Sequence, residues 1–289
     1  MDKKSQQPAY FRDHSRLRSR ALFTIACLDV VLLLLVNAVG APIPAFSQSY
    51  AAHSETTEYS WYTMPTKDGT QPAPQPEFSF IGQYGGYWIG APNEKVIYIT
   101  FDAGYENGNT PQILDALKKH NAAAAFFLVD HYIKNNPELV QRMADEGHLV
   151  CSHSTSHKNM AAMTNLETFK GEMTGVADRY KSVTGQEMPG FFRPPEGRFS
   201  QLCLKYAQQM GYKSIFWSFA YKDWLVDAQP SAESAMNTII TRTHPGMVAL
   251  LHSTSATNGT IMDDLLTKWE EMGYTFGTLD ELTEELPAG

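Results

Sequence analysis

Five sites in this sequence carry side chains able to do acid–base or metal chemistry, and four of them sit at the end of an apolar run. Asp102 closes Val96-Ile-Tyr-Ile-Thr-Phe-Asp102, and Gly104 and Gly108 then let the chain turn at low steric cost. His153 and His157 stand four apart after Leu149-Val-Cys-Ser152. Two imidazoles at that spacing can converge on one metal ion, and a catalytic site leaves further coordination positions open for water. Arg193 follows Phe191-Phe192 and can tether a carboxylate and hold it ionised. His252 ends Met247-Val-Ala-Leu-Leu-His252, with Asp223 upstream. An Asp beside a His fixes its tautomer and raises its pKa, which makes an acid–base candidate. Together these parts describe metal-assisted hydrolysis of an amide: a polarised carbonyl, Asp102 taking a proton from water, and His252 giving one to a leaving amine. Taken singly, each residue also has a plain structural reading as a turn Asp, a loop His, an ion-paired Arg or a satisfied core His. Their recurrence at strand end after strand end carries the chemical reading.

The elements that must position them read as alternating strands and helices. Strands are predicted at 95–101, 123–129, 148–152, 190–193, 212–218, 246–252 and 274–277. Near-continuous apolar runs such as Val96 to Phe101 suit parallel strands covered on both faces. Thr110-Pro111 opens a helix with Pro in its first turn, and Gly147 closes another that starts at Pro137. Asn165 caps a longer helix that Gly185 ends, and Ser200–Met210, Ser231–Thr241 and Ile261–Met272 complete the set. Such βα units make a parallel sheet, and seven or eight of them suggest closure into a barrel, although an open sheet satisfies the same periodicity. In either case the carboxyl ends of the strands are the catalytic face.

The rest of the chain bounds what it can do. Of its 289 residues, the first 20 carry Lys3, Lys4, Arg12, Arg16, Arg18 and Arg20, and 21–40 form one apolar run. A basic start before an apolar core is expected to be a secretory signal peptide within 1–47, with small-residue cleavage sites near Gly40 and Ser47. An uncleaved membrane anchor through 21–40 is the alternative, opposed by Asp29 in its middle. Either implies an exported protein. Six of the 23 basic and three of the 31 acidic residues lie in 1–47, so the remainder is more acidic than the whole chain's net charge of −8. That balance argues against nucleic acid and against an anionic membrane surface as partners. Outside 1–47, Cys151 and Cys203 are expected to be small buried thiols, a bridge between them being the alternative. Residues 48–92 hold the extended stretch Gln71-Pro72-Ala73-Pro74-Gln75-Pro76 and many aromatics. Tyr59, Trp61 and Tyr62 there are expected to pack as an arm on the domain that follows.

Thr100-Phe-Asp102, His153-Ser-Thr-Ser-His157, Arg193-Pro-Pro-x-Gly197, Asp223-Trp224 and Leu250-Leu-His252 resemble, in order, the five motifs of the polysaccharide deacetylases with the NodB-type domain. Tyr59-Ser-Trp-Tyr-x-Met-Pro-x-Lys-Asp68, the continuation through Tyr105-Glu-Asn-Gly108 and Ala220-Tyr-Lys-Asp-Trp224 are similar to the branch that deacetylates N-acetylmuramic acid in peptidoglycan and forms muramic delta-lactam in spore formers. The resemblance implies a distorted (β/α) barrel of about seven parallel strands, with one catalytic domain over 93–285. It implies removal of N-acetyl groups from a glycan strand with release of acetate, in the cell wall or spore cortex. It also implies a divalent metal, zinc being the expected ion, held by His153 and His157. By the same resemblance Asp102 is the base, Arg193 braces it, Asp223 orients the acid His252, and Trp224, Glu196 and Tyr105 meet the substrate. Three positions depart from the wider family. Ala103 stands where a second Asp would ligate the metal, so a weakly held ion is expected; Glu196 and Ala220 replace an aromatic and an Asp. The alternatives are a deacetylase of N-acetylglucosamine or chitooligosaccharides, and a catalytically impaired glycan-binding barrel.

Overall fold

The computed structural model describes residues 54–285. The expected signal peptide or anchor at 1–47, and the start of the arm at 48–53, lie outside the described residues. Among those described, no helix is long and apolar enough to cross a membrane. The strands in chain order are β1 (Tyr59–Ser60), β2 (Gly86–Tyr87), β3 (Val96–Ala103), β4 (Ala124–Leu128), β5 (Leu149–Ser152), β6 (Phe191–Phe192), β7 (Arg198–Phe199), β8 (Lys213–Ile215), β9 (Phe219–Ala220), β10 (Met247–His252) and β11 (Thr275–Phe276). The helices are α1 (Thr110–Lys119), α2 (Asp130–Asn135), α3 (Pro137–Asp145), α4 (Leu166–Thr184), α5 (Gln201–Gln209), α6 (Ala232–Thr241), α7 (Ala256–Glu271) and α8 (Leu279–Glu285).

Nine strands form one parallel sheet in the order β2-β8-β6-β5-β4-β3-β10-β9, with β11 against the start of β3. The expected distorted barrel is thus a curled half-barrel with two strands more than the sequence suggests. The run at 212–218 divides, because β8 stays beside β6 while β9 leaves to pair with β10. Strand β3 runs two residues further than expected, since Asp102 and Ala103 still pair with Phe127 and Leu128 of β4. The last long helix begins at Ala256, not Ile261: the Ser255 side chain caps it by accepting from the Asn258 N–H. The Asn165 and Ser200 caps and the left-handed Gly185 stand where the sequence places them.

The arm is not appended to the sheet but enters it, so the catalytic unit starts before residue 93. Strand β2 pairs with β8, Ile89 bridges Met247, and the Gly90 N–H donates to the Gly246 carbonyl at 2.7 Å. Gly246 has a φ of 65°, and a Cβ there would meet the Gly90 carbonyl carbon at 2.5 Å, so only glycine allows this approach. Strand β1 pairs with β7, and Trp61 stacks on Phe216 and Phe78 with its Nε1–H donating to the Trp217 carbonyl at 2.8 Å. Tyr59 packs on Phe80 and Phe199 as expected, whereas Tyr62 remains 47% exposed and only edges onto Phe78.

Side-chain alternation divides the core in two. Ile97, Ile99, Phe101 and Ala103 of β3 pack outward against α1 and α7, in one cluster with Ile113, Leu117, Leu265 and Trp269. Tyr98, Phe127, Cys151, Phe191 and Val248 form the inner cluster. Cys151 and Cys203 are both free and buried, as expected.

Candidate active site

The strand period of two places the site. Asp102 lies four residues on from the inward Tyr98, His153 two on from Cys151, Arg193 two on from Phe191 and His252 four on from Val248. The four side chains therefore continue the inner faces of β3, β5, β6 and β10 at their carboxyl ends. Ala103 has the opposite parity and belongs to the outer core.

Arg193 is fully buried, with its guanidinium 4.2 Å from the Phe127 ring centre. Its Nε and Nη2 donate to the Ile215 and Phe216 carbonyls, and its Nη1 donates to Asp102 Oδ1 at 2.8 Å. Burial alone would raise the Asp102 pKa, but Arg193, with His153 and His252, holds the carboxyl below its ordinary value. Asp102 is therefore an ionised base with its second oxygen, Oδ2, 3.6 Å from His153 Nε2.

His153 Nδ1 lies 2.9 Å from the Arg193 carbonyl, which can only accept, so this nitrogen carries the proton and Nε2 keeps its lone pair. Burial pushes the imidazole down to about 4, against the pull of Asp102, so it is neutral near pH 7. A buried neutral imidazole whose far nitrogen is fixed by a carbonyl is how metal-ligating histidines are ordinarily prepared. His157 is exposed, and its ring centre lies 4.9 Å from that of His153, edge to face. The donor set of two imidazoles with an adjacent carboxylate oxygen fits a divalent cation. Among the described residues no His, Cys, Asp or Glu beyond these three joins them, and Ala103 is apolar and points outward.

Across the face, His252 Nδ1 donates to Asp223 Oδ1 at 2.7 Å, and the His252 backbone N–H donates to Oδ2 at 2.8 Å. Burial would lower the His252 pKa, but the hydrogen bond and charge of Asp223, with Asp102, raise it above its ordinary value. The Trp224 ring is half exposed, 5.6 Å from the His252 ring. Tyr105 is likewise exposed, on the loop leaving β3. Glu196 is not drawn into this group. It sits in a left-handed turn with its carboxylate 3.3 Å from Arg198 Nη1, and Arg198 in turn binds Glu58 of the arm.

Sequence reasoning missed Asn258. Its Nδ2 donates to Asp223 Oδ2 at 2.6 Å and to the His252 carbonyl, while its Oδ1 accepts from the Tyr221 hydroxyl. The signal was the Ser255 cap three residues before it, hidden because Thr254-Ser-Ala-Thr-Asn-Gly259 has the composition of a turn.

Residues 89–215 match the polysaccharide deacetylase family. The peptidoglycan-N-acetylmuramic acid deacetylase PdaA of Bacillus subtilis is 39% identical over 207 residues, 72% of this chain and 78% of that protein. A peptidoglycan-N-acetylglucosamine deacetylase of Bacillus cereus is 31% identical over 71% of this chain and 74% of its own length. The solved structure of Bacillus subtilis PdaA, described as a family 4 carbohydrate esterase, superposes with a TM-score of 0.77 at 35% identity, covering 80% of this chain and 98% of that one. With an ionised Asp braced by a buried Arg, two neighbouring imidazoles and an Asp–His dyad on one strand-end face, this chain belongs to the polysaccharide deacetylases, the carbohydrate de-N-acetylases of esterase family 4.

Proposed function

We propose that this enzyme removes the acetyl group from N-acetylmuramic acid in peptidoglycan glycan strands, the step that precedes muramic delta-lactam in spore cortex, and that zinc is its ion. The muramic acid deacetylase among the relatives, at higher identity than the glucosamine deacetylase, supports this substrate. The observation that carries the chemistry is the pair of oppositely tuned groups on neighbouring strands, Asp102 kept ionised and His252 kept protonatable. His153 and His157 would hold the ion, which when bound polarises the acetyl carbonyl and lowers the pKa of water. Asp102 Oδ2, the oxygen that Arg193 leaves free, takes the proton of the attacking water. Arg193 keeps that carboxylate fixed, and charged until it takes the proton. His252, its Nδ1 held by Asp223, presents Nε2–H to the amide nitrogen and protonates it as the C–N bond breaks. Acetate and a free amino sugar are the products. Trp224 and Tyr105 offer exposed aromatic faces to sugar rings. Residues 1–47 deliver the enzyme outside the membrane, cleaved or anchored.

Acetate release is to be measured on muramic-containing glycan strands stripped of stem peptide and on chitooligosaccharides, with mass spectrometry of the muropeptides. Deacetylated muramic acid from the first substrate is the expected product, dependent on added divalent ion and abolished by chelation. Faster release from chitooligosaccharides would move the substrate to N-acetylglucosamine. No acetate from either, with zinc present, would leave an impaired glycan-binding barrel.

A further inference from the structure

The loop that carries His153 and His157 passes twice through the left-handed region at residues other than glycine, Ser154 (φ 66°) and His157 (φ 54°). Such residues keep that conformation only where their surroundings impose it. Part of the restraint is local, since the His157 N–H donates to Ser154 Oγ at 3.0 Å. The larger part comes from α4, which lies against the loop. The Glu172 carbonyl accepts from the Thr155 N–H at 2.9 Å and from its hydroxyl at 2.7 Å. The Glu172 carboxylate accepts from the Ser156 N–H on Oε2 at 2.8 Å, and from the Ser156 hydroxyl and Lys158 Nζ on Oε1 at 2.6 and 3.2 Å. Both oxygens are thus committed to the two residues that flank His157.

Glu172 is 8% exposed in the middle of a helix, where an unpaired carboxylate would be costly. Burial would raise its pKa, yet the Ser156 hydrogen bonds and Lys158 hold it below the ordinary value, so the clamp is charged. Gly175, on the same face, shows how close the helix comes. A Cβ there would lie 2.5 Å from Thr155 Oγ1. Glycine weakens a helix interior relative to alanine, and the close approach is what it allows here.

We propose that Glu172 is a positioning residue for His157, holding Ser156 and Lys158 on either side of it so that the two imidazoles face each other before an ion binds. The inference rests on the metal-dependent reading above and adds a residue that the five motifs do not contain. Outer partners of metal ligands typically carry 10–100-fold in affinity. In Glu172→Gln the side chain keeps its length but cannot accept from both Ser156 donors, and it loses the charge facing Lys158. Ser156→Ala removes one hydroxyl from an exposed loop residue and leaves the core untouched.

The full chain and both variants are to be stripped with chelator, titrated with Zn²⁺ by calorimetry, and examined with Co²⁺ by visible absorption. Zn²⁺ should bind roughly 10–100-fold more weakly to Glu172→Gln, and to Ser156→Ala with a smaller loss. The Co²⁺ bands should change in Glu172→Gln. Parent-like affinity and bands in both variants, even with a lower melting temperature, would make Glu172 a purely structural residue and overturn the positioning role alone. A parent that binds no Zn²⁺ would overturn it together with the metal reading.

Discussion

His252 and Asp102 are register partners on the adjacent parallel strands β10 and β3. One strand spacing, about 4.8 Å, separates their backbones. The two groups act on each other: the imidazolium favours the carboxylate and the carboxylate favours the imidazolium. The proposed acid and base are thus fixed as neighbours by the sheet ladder, without any loop to set their separation.

His252→Ala is predicted to lower turnover on the order of 10²–10⁴-fold with metal content unchanged. Asp223→Asn should lose activity through His252, so the double variant should be little worse than His252→Ala alone. Steady-state acetate release on the four proteins checks this. Losses that multiply would mean that the two side chains act separately.

A second prediction concerns pH. His252 acts as an acid only while protonated, and its folded pKa is raised. The alkaline limb of kcat/KM should therefore lie above about 6.5, the ordinary value for imidazole. In Asp223→Asn the hydrogen bond and charge that raise it are gone while burial remains, so the limb should move to lower pH. By the same sign, the His252–Asp223 pair stabilises the fold below about 6.5, and that contribution is lost as pH rises through the folded value. A limb that does not move in Asp223→Asn would assign it to another group.

Arg193→Ala strands the Asp102 charge in a buried site. Breaking such a pair costs about 3–5 kcal/mol, read by denaturant unfolding at neutral pH. Burial would then be opposed only by His153 and His252, so the Asp102 pKa should rise and the acid limb of the rate profile should move toward neutrality. The Asp102–Arg193 contribution to stability is present above about pH 3.9 and fades as pH falls through the depressed folded value. Parent-like stability in Arg193→Ala would mean that the cavity admits water and screens the carboxylate.

The arm offers a paired test. Trp61 stacks on Phe216, whose carbonyl accepts from Arg193 Nη2, so it backs the residue that braces the base. Trp61→Ala should cost about 3–5 kcal/mol and reduce acetate release as well. Tyr62→Ala, next in sequence but half exposed, should stay within about 0.5 kcal/mol. Equal effects of the two would return the segment to an undifferentiated linker.

Asp102, His153, Arg193 and His252 were legible in the sequence because an apolar run makes the end of a buried strand conspicuous. Asp223 was legible from its place after the 212–218 run and from the resemblance of Asp223-Trp224 to a family motif. What stayed hidden depends on contacts between distant segments. Strand β2 is only Gly86 and Tyr87, too short for any periodicity. Glu172 reads as one more solvated helix carboxylate, and its burial follows only from where the 154–158 loop lands. Asn258 was lost with the first turn of α7. The pairing of Glu196 with Arg198 likewise follows from the left-handed turn at Glu196 and Gly197, which the motif does not reveal.

The arm's attachments have a consequence for the order in which the molecule assembles. Trp61 is satisfied by Trp217, 156 residues downstream, and Ile89 bridges Met247. A ribosome makes the arm first, yet its docking surface does not exist until nearly the whole sheet has been synthesised. Contacts of such sequence separation are slow to form because the loop-closure entropy falls due before they contribute. The arm is therefore made before the sheet and is among the last segments to find its place, and until then the aromatic surface around Phe199 and Phe216 stays open to anything that binds unfolded chains.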